Sequence, residues 1–541
     1  MAPGGALSAL PKGRCTLRRS LKTTPCNAGS ESPPPPLVPP RMLTTMLVSV
    51  IALAVLWVFK QWQDTRNFWA KRHVPHSPPH PLLGSLTFMM KMNPGVWMRE
   101  LYDRFRAPYV GVWWLWRPAL VVQDPEIARR ILVKDAHVFQ DRYLSGGKRD
   151  IIGSMNLFTM KSPLWGSLRR RLTPVFTSAK LRSQQRHFID KTQQLMQRIK
   201  MDMDKEKQVN LRMVYSDYTT DVVGETSFGV ASDSTLSGRG PLRAVTLDFM
   251  EFSWWRGLAW ASIFFYPDLI DIFGFTFFPK AATDYFRRVY GQIVQQRGGY
   301  AAPGEGGDLL DALRKIKQES DKNGEEIRDD VLVAQAAIFL QGGFDTTASA
   351  MAFATYELAH LPHVQDKLYN EIIEIKQNIG EAELNMDKLQ GAKYLECVIK
   401  EALRKYPPMG WLDRVSSVEY EVDDKLTIPA GTPVYVNAIG MHYDPLHFPE
   451  PHIFDPDRFL PENENNIKPF TYFPFGEGPR VLSGRRFAMQ NMTHMLSNIV
   501  LNYKILPTPN GPSHTDIPIE KKGLFLFPGE NLYVQFVPRD V

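Results

Sequence analysis

The chain has 541 residues, 44% apolar and 11% aromatic, enough for a large core, and no composition break after about residue 75 divides it into ordinary-sized domains. Its formal charge of +7 gathers in residues 1–41, where Lys12, Arg14, Arg18, Arg19, Lys22 and Arg41 stand against Glu31. The rest is close to neutral, which excludes the basic footprint of a nucleic-acid binder. Three cysteines, Cys15, Cys26 and Cys397, offer neither a disulfide framework nor zinc spacing, as suits a cytosol-facing protein.

Residues 1–41 read as a basic tail, poor in acids and ending in Pro33–Pro36. Residues 42–60 read as a transmembrane anchor. Its uncharged run Met42–Phe59 spans about 27 Å as a helix, close to the endoplasmic reticulum hydrocarbon thickness. Trp57 and Trp62 lie at interfacial depth, and the bulky end Trp57-Val58-Phe59 lacks the small-residue cleavage site of a signal peptide. Lys60, Arg66, Lys71 and Arg72 outweigh Asp64 and favour a cytosolic body. The basic tail opposes that orientation, and a start at Met42 removes the conflict. A mitochondrial transit role for the tail is the weaker reading, because a full-length anchor follows directly. Residues 61–85, with Pro75, Pro78, Pro79 and Pro81, read as a stiff proline-rich hinge, and residues 86–541 as one helix-rich domain. The glycine cluster in Arg297–Asp308 reads as a surface loop within it.

Four constellations follow in order. Trp165 and Arg169 are spaced i, i+4 and share one helix face. Val331–Leu340 is apolar and runs into Gln341-Gly342-Gly343-Phe344-Asp345-Thr346-Thr347. Two glycines inside such a helix cost about 2 kcal/mol against alanine, so something must approach the backbone there. Asp345 and Thr346 could each cap a helix, but the apolar continuation Ala348–Tyr356 predicts that the helix passes through them. Glu401 and Arg404, three apart, can pair on a helix closed by Tyr406-Pro407-Pro408, and Arg458 follows in a loop as a third member. Arg414 enters a strand after Trp411-Leu412-Asp413. His442 and His447 read as surface-loop histidines, and Cys397 as a buried core thiol.

The fourth constellation is Phe475-Gly476-Glu477-Gly478-Pro479-Arg480-Val481-Leu482-Ser483-Gly484. It resembles the haem-binding loop of the cytochrome P450 family, Phe-x-x-Gly-x-Arg-x-Cys-x-Gly. Phe475, Gly478, Arg480 and Gly484 are in register, and Leu482 stands at the cysteine. The resemblance runs from about residue 68 to the C-terminus and looks most like insect microsomal members. It implies a mainly α chain with small β-sheets, an α+β fold of the cytochrome P450 type behind an N-terminal transmembrane helix. Within it Trp165, Arg169, Arg414, Phe475 and Arg480 are cofactor-binding residues, the arginines holding haem propionates. Asp345 and Thr346 are the oxygen-activating acid and alcohol, while Glu401, Arg404 and Arg458 form a structural network.

The implied cofactor is haem b, held weakly or not at all without the thiolate, and no residue is assigned as metal ligand. The implied partners are NADPH–cytochrome P450 reductase, cytochrome b5, the endoplasmic reticulum membrane on its cytosolic face, and a lipophilic small molecule. The last also suits the aromatic-rich segments Phe139–Phe158, Met409–Asp413 and Gly523–Pro528. Two functions stand side by side: a monooxygenase of lipophilic molecules impaired by Leu482, and a pseudoenzyme that binds haem or hydrophobic ligands without turnover.

Overall fold

The structure, a computed structural model, describes residues 40–302, 307–380 and 382–539. The tail reading over residues 1–39, with Cys15 and Cys26, lies outside the described residues. The described chain separates at Lys60/Gln61 into two compact units. Helix α1 (Pro40–Arg66) carries most of the stretch Thr44–Arg72 that, among the described residues, is long and apolar enough to cross a membrane, with a mean hydropathy of 1.7. Its apolar side chains Met46 to Phe59 are exposed.

The larger unit is mainly helical. Strands β1 (Tyr109–Trp114), β2 (Arg117–Val122), β3 (Leu412–Val415) and β4 (Pro433–Val436) form one sheet. Its order is β1-β2-β4-β3, with β2 and β4 parallel and the outer pairs antiparallel. Opposite β4, the register pairs Asp413 with Tyr435 and Arg414 with Val434. Successive strand residues point to opposite faces, and this fixes where those two charged side chains go. Residues 61–85 lie along the sheet edge. Trp69 is fully buried, its indole donates to the Val112 carbonyl at 3.1 Å, and a Cβ on Gly111 would overlap its ring.

Helices α2 (Leu164–Leu172), α3 (Leu211–Phe228), α4 (Asp329–His360), α5 (Lys393–Lys405) and α6 (Arg485–Asn502) position the site. Helix α3 is started by the Asn210 side chain, which accepts from Met213 N–H, and stopped by Gly229 in the left-handed region, as caps of these types do. Helix α4 has Asp329 and Asp330 in its first turn and His360 in its last, the charge order that suits the helix dipole. As the apolar continuation predicts, it runs unbroken through Asp345 and Thr346. It packs along α3. A Cβ on Gly343 would lie 2.8 Å from Val223, Thr219 donates to the Phe344 carbonyl at 2.9 Å, and the Tyr215 and Thr355 hydroxyls meet at 3.0 Å. One of the two mid-helix glycines is thus explained by helix–helix approach.

Candidate functional site

The loop Phe475–Gly484 is shaped by two glycines. Gly476 and Gly478 have φ of 76° and 74°, a region open to glycine at little cost. A Cβ on Gly478 would sit 1.9 Å from the Leu132 carbonyl oxygen. The loop closes where Leu482 N–H donates to the Phe475 carbonyl at 3.0 Å. Phe475 is half-buried, with the Arg485 guanidinium 5.7 Å from its ring centroid. Leu482 follows the short turn Gly478–Arg480 and precedes the N-terminus of α6. Its side chain is 47% exposed and carries no atom able to coordinate a metal.

Trp165 and Arg169, one turn apart on α2, both reach this loop. The Arg480 guanidinium lies 4.1 Å over the Trp165 ring. Arg169 donates to the Val481 carbonyl at 2.7 Å and to the Ser483 hydroxyl. Arg480 donates to the Gln140 carbonyl at 2.6 Å and to Asp141 Oδ1 at 2.7 Å, leaving its Nη1 buried without a partner. Arg414 on β3 is buried and donates to the Asp413 carbonyl at 2.8 Å. Two cations not foreseen from the sequence join these three arginines. Arg142 lies 4.3 Å over the Phe158 ring and 4.0 Å from the Asp413 carboxylate. Lys161 donates to the carbonyls of Arg142 and Leu144.

Among the described residues, the carboxylates that face Arg142, Lys161, Arg414 and Arg480 are Asp141 and Asp413, and Arg169 adjoins the same cluster through Arg142. Asp413 is fully buried. Burial, reinforced by Arg142, holds the Arg169 guanidinium below its ordinary range. Burial and then the neighbouring Arg142 push Arg414 down to about 9 and Arg480 down to about 10. Burial also pushes Lys161 down to about 8, with Asp413 and Asp141 opposing and Arg480 and Arg142 assisting. A buried surplus of positive charge is costly unless an anion neutralises it.

This gives a pH prediction. The native Lys161 ammonium loses its proton near pH 8, whereas the unfolded side chain keeps it to about 10.4. Over that window the unfolded state binds more protons, so stability rises with pH. Urea midpoints of the cofactor-free protein at steps from pH 7.5 to 10 should show this gain. Lys161→Met should reduce it, leaving the part that Arg414 and Arg480 contribute toward the upper end, and an unchanged slope in Lys161→Met would refute the assignment.

On α4, Gly342 is exposed mid-helix and a Cβ there would meet nothing within 4 Å. One turn on, the Thr346 hydroxyl donates to the Gly342 carbonyl at 2.7 Å. These two share an open face, and Phe176 links it to the loop: its ring lies 5.2 Å from that of Phe339 and 3.8 Å from where a Gly484 Cβ would be. Asp345 is buried and points elsewhere, pairing with Arg212 of α3 at 3.1 Å. Arg212, another residue the sequence reading missed, is flanked by the Phe252 and Phe527 rings at 5.3 and 4.8 Å. An acid and an alcohol adjacent in sequence thus take different faces of the helix.

Glu401 and Arg404 are fully buried on α5 and joined by hydrogen bonds of 2.7 and 2.8 Å. Arg458 stands 3.5 Å from the same carboxylate. The remaining Arg404 donors reach the carbonyls of His442 and Pro451, both at 2.8 Å. The surface reading of His442 is corrected: it is fully buried in the short helix Ala438–His442. Its Nε2 accepts from Phe473 N–H at 3.3 Å, so its Nδ1–H donates to the Arg404 carbonyl at 3.0 Å. It ties α5 to the loop, and burial pushes it down to about 3. His447 is partly exposed. Cys397 is buried on α5 as read, and burial pushes its thiol up to about 11.

Residues 75–536 match the cytochrome P450 family. The chain is 30% identical to cytochrome P450 6k1 of Blattella germanica, over 87% of this chain and 92% of that protein. It is 31% identical to probable cytochrome P450 6g2 of Drosophila melanogaster, over 87% and 94%. It is 30% identical to cytochrome P450 6B2 of Helicoverpa armigera, over 91% and 98%. The chain belongs to the cytochrome P450 family, a family of haem monooxygenases.

The residues present fit one end of a haem and not the other. Converging guanidinium groups with a spare buried donor on Arg480 suit a pair of carboxylates. At the loop, Leu482 supplies no donor atom for iron.

Proposed function

We propose that this protein is a membrane-anchored cytochrome P450 that holds haem b weakly by its carboxylates and apolar faces, and whose oxidation of lipophilic small molecules is impaired at Leu482. The observation that carries this reading is the coexistence of the five-cation cluster with a leucine in the Phe475–Gly484 loop. A bound haem would supply the redox chemistry of the family, in which a cysteine thiolate tethers iron and favours O–O cleavage. Arg169, Arg414 and Arg480, joined by Arg142, would hold its propionates, and Trp165 would keep Arg480 in place.

Leu482 can neither tether nor donate. Thr346 would present its hydroxyl on the open face of α4, while Asp345 stays tied to Arg212 one helix face away. Buried aromatic contacts favour a lipophilic ligand, among them Phe264 against Trp411 and Phe525, each at 6.4 Å. Electrons would come from NADPH–cytochrome P450 reductase, with cytochrome b5 as a second acidic partner. Exposed Arg170, Arg182, Arg485 and Arg486 near the loop favour such docking. The apolar helix α1 supports residence on the cytosolic face of the endoplasmic reticulum, with the proline-rich 61–85 segment joining it to the 86–541 domain.

The test is reconstitution of the full chain with haemin, reductase and NADPH. Haem should load while a lipophilic alkoxycoumarin is left unoxidised. Substrate-dependent product at the rate given by a Leu482→Cys variant would overturn the proposal. Haem-free protein after reconstitution would favour the second reading, a pseudoenzyme for hydrophobic ligands alone.

A further inference from the structure

We propose that the site recognises a tetrapyrrole by its dicarboxylate edge and is indifferent to the metal at its centre, so that iron-free porphyrin binds as well as haem. The inference rests on the tetrapyrrole reading above and deepens it, since it removes iron from recognition.

Ser483, His442, His494, Cys397 and Thr346 are each already engaged or buried. Leu482 has no donor atom, and the Ser483 hydroxyl is taken by Arg169. Both ring nitrogens of His442 are engaged, by Phe473 and by the Arg404 carbonyl. Those of His494 on α6 are engaged as well, by Thr192 at 3.2 Å and by the Leu384 carbonyl at 2.9 Å. Cys397 is buried on α5, where burial disfavours its thiolate. Across the open face the Thr346 hydroxyl donates to the Gly342 carbonyl. Among the described residues no cluster of three or more His, Cys, Asp or Glu could hold a metal.

The carboxylate side is the reverse. Arg480 has an unpartnered buried Nη1, and Arg414 spends a bond on the carbonyl of its own neighbour, Asp413. Charge-assisted bonds to carboxylates are about twice as strong as neutral ones, and burying apolar faces supplies most of the remaining affinity in such sites. Neither contribution involves the centre of the ring. Haem and its iron-free counterpart present the same two carboxylates and the same faces, so they should bind alike.

The experiment titrates the full chain with haemin, with iron-free protoporphyrin IX, and with the dimethyl ester of protoporphyrin, reading tryptophan quenching. Haemin and protoporphyrin are expected to agree within about threefold, and the ester to bind at least about tenfold more weakly. Leu482→Cys should leave protoporphyrin affinity unchanged and favour haemin by about tenfold or more. Haemin binding the unaltered chain about tenfold or more tighter than protoporphyrin would overturn the inference while leaving the tetrapyrrole reading standing. An ester that binds as well as the diacid would overturn it by discounting the cation cluster. Binding of none of the three would overturn both.

Discussion

Leu482→Cys should give the haem-loaded protein the thiolate-type carbon monoxide difference band for which the family is named, where the unaltered chain gives none. The expected change is from undetectable to most of the bound haem, with NADPH-dependent oxidation appearing alongside it. The loop is already formed around that position. Gly476 and Gly478 hold their left-handed turns, and the backbone N–H of residue 482 is fixed to the Phe475 carbonyl. A cysteine there would sit just ahead of the N-terminus of α6, beside Arg485 and Arg486, where the helix dipole and nearby cations favour a thiolate. The difference spectrum of the two proteins, reduced and exposed to carbon monoxide, reads the result. A band in the unaltered protein, or none in the variant at equal haem content, would contradict the role assigned to Leu482.

Glu401→Ala should be among the most destabilising single substitutions in the chain. Its carboxylate takes two bonds from Arg404, accepts Asp455 N–H at 2.9 Å and faces Arg458. Removing one member of a buried ion pair leaves the other charge uncompensated, a loss of about 3–5 kcal/mol. Replacing Glu401 and Arg404 together by methionine should recover part of that loss, because the fully buried Arg404 charge leaves with its partner while Arg458 keeps Asp455 at 3.9 Å. Urea denaturation of the three proteins tests this. A loss under about 1 kcal/mol for Glu401→Ala would mean that the network behaves as an exposed pair.

The parts of the site visible in the sequence were those whose partners are local. Trp165 and Arg169 are one turn apart, Glu401 and Arg404 three residues apart, and Phe475 to Gly484 form one loop, so spacing alone brings them together. Arg142 and Lys161 were not legible in this way. They lie on separate loop segments, and they meet Arg414 and Arg480 only once β3 has placed Asp413 beside them. Arg212 pairs with Asp345 across 133 residues, a juxtaposition set by how α3 packs on α4. The two glycines of α4 were read as one signal and have two causes, close packing on Val223 at Gly343 and an open face at Gly342. His442 reads as a surface-loop residue because in sequence it lies between a strand and the Arg458 loop. Its burial comes from a short helix that periodicity cannot reveal. The small sheets were foreseen only as a class, since register such as Arg414 opposite Val434 depends on strands far apart in the chain.

The central claim is that the cationic carboxylate clamp stands without a metal bond from the protein. X-ray absorption at the iron edge of the haem-loaded, unaltered chain tests it most directly. The expected first shell holds the porphyrin nitrogens with no sulfur and no imidazole. A sulfur scatterer or an imidazole pattern in that shell would contradict the account.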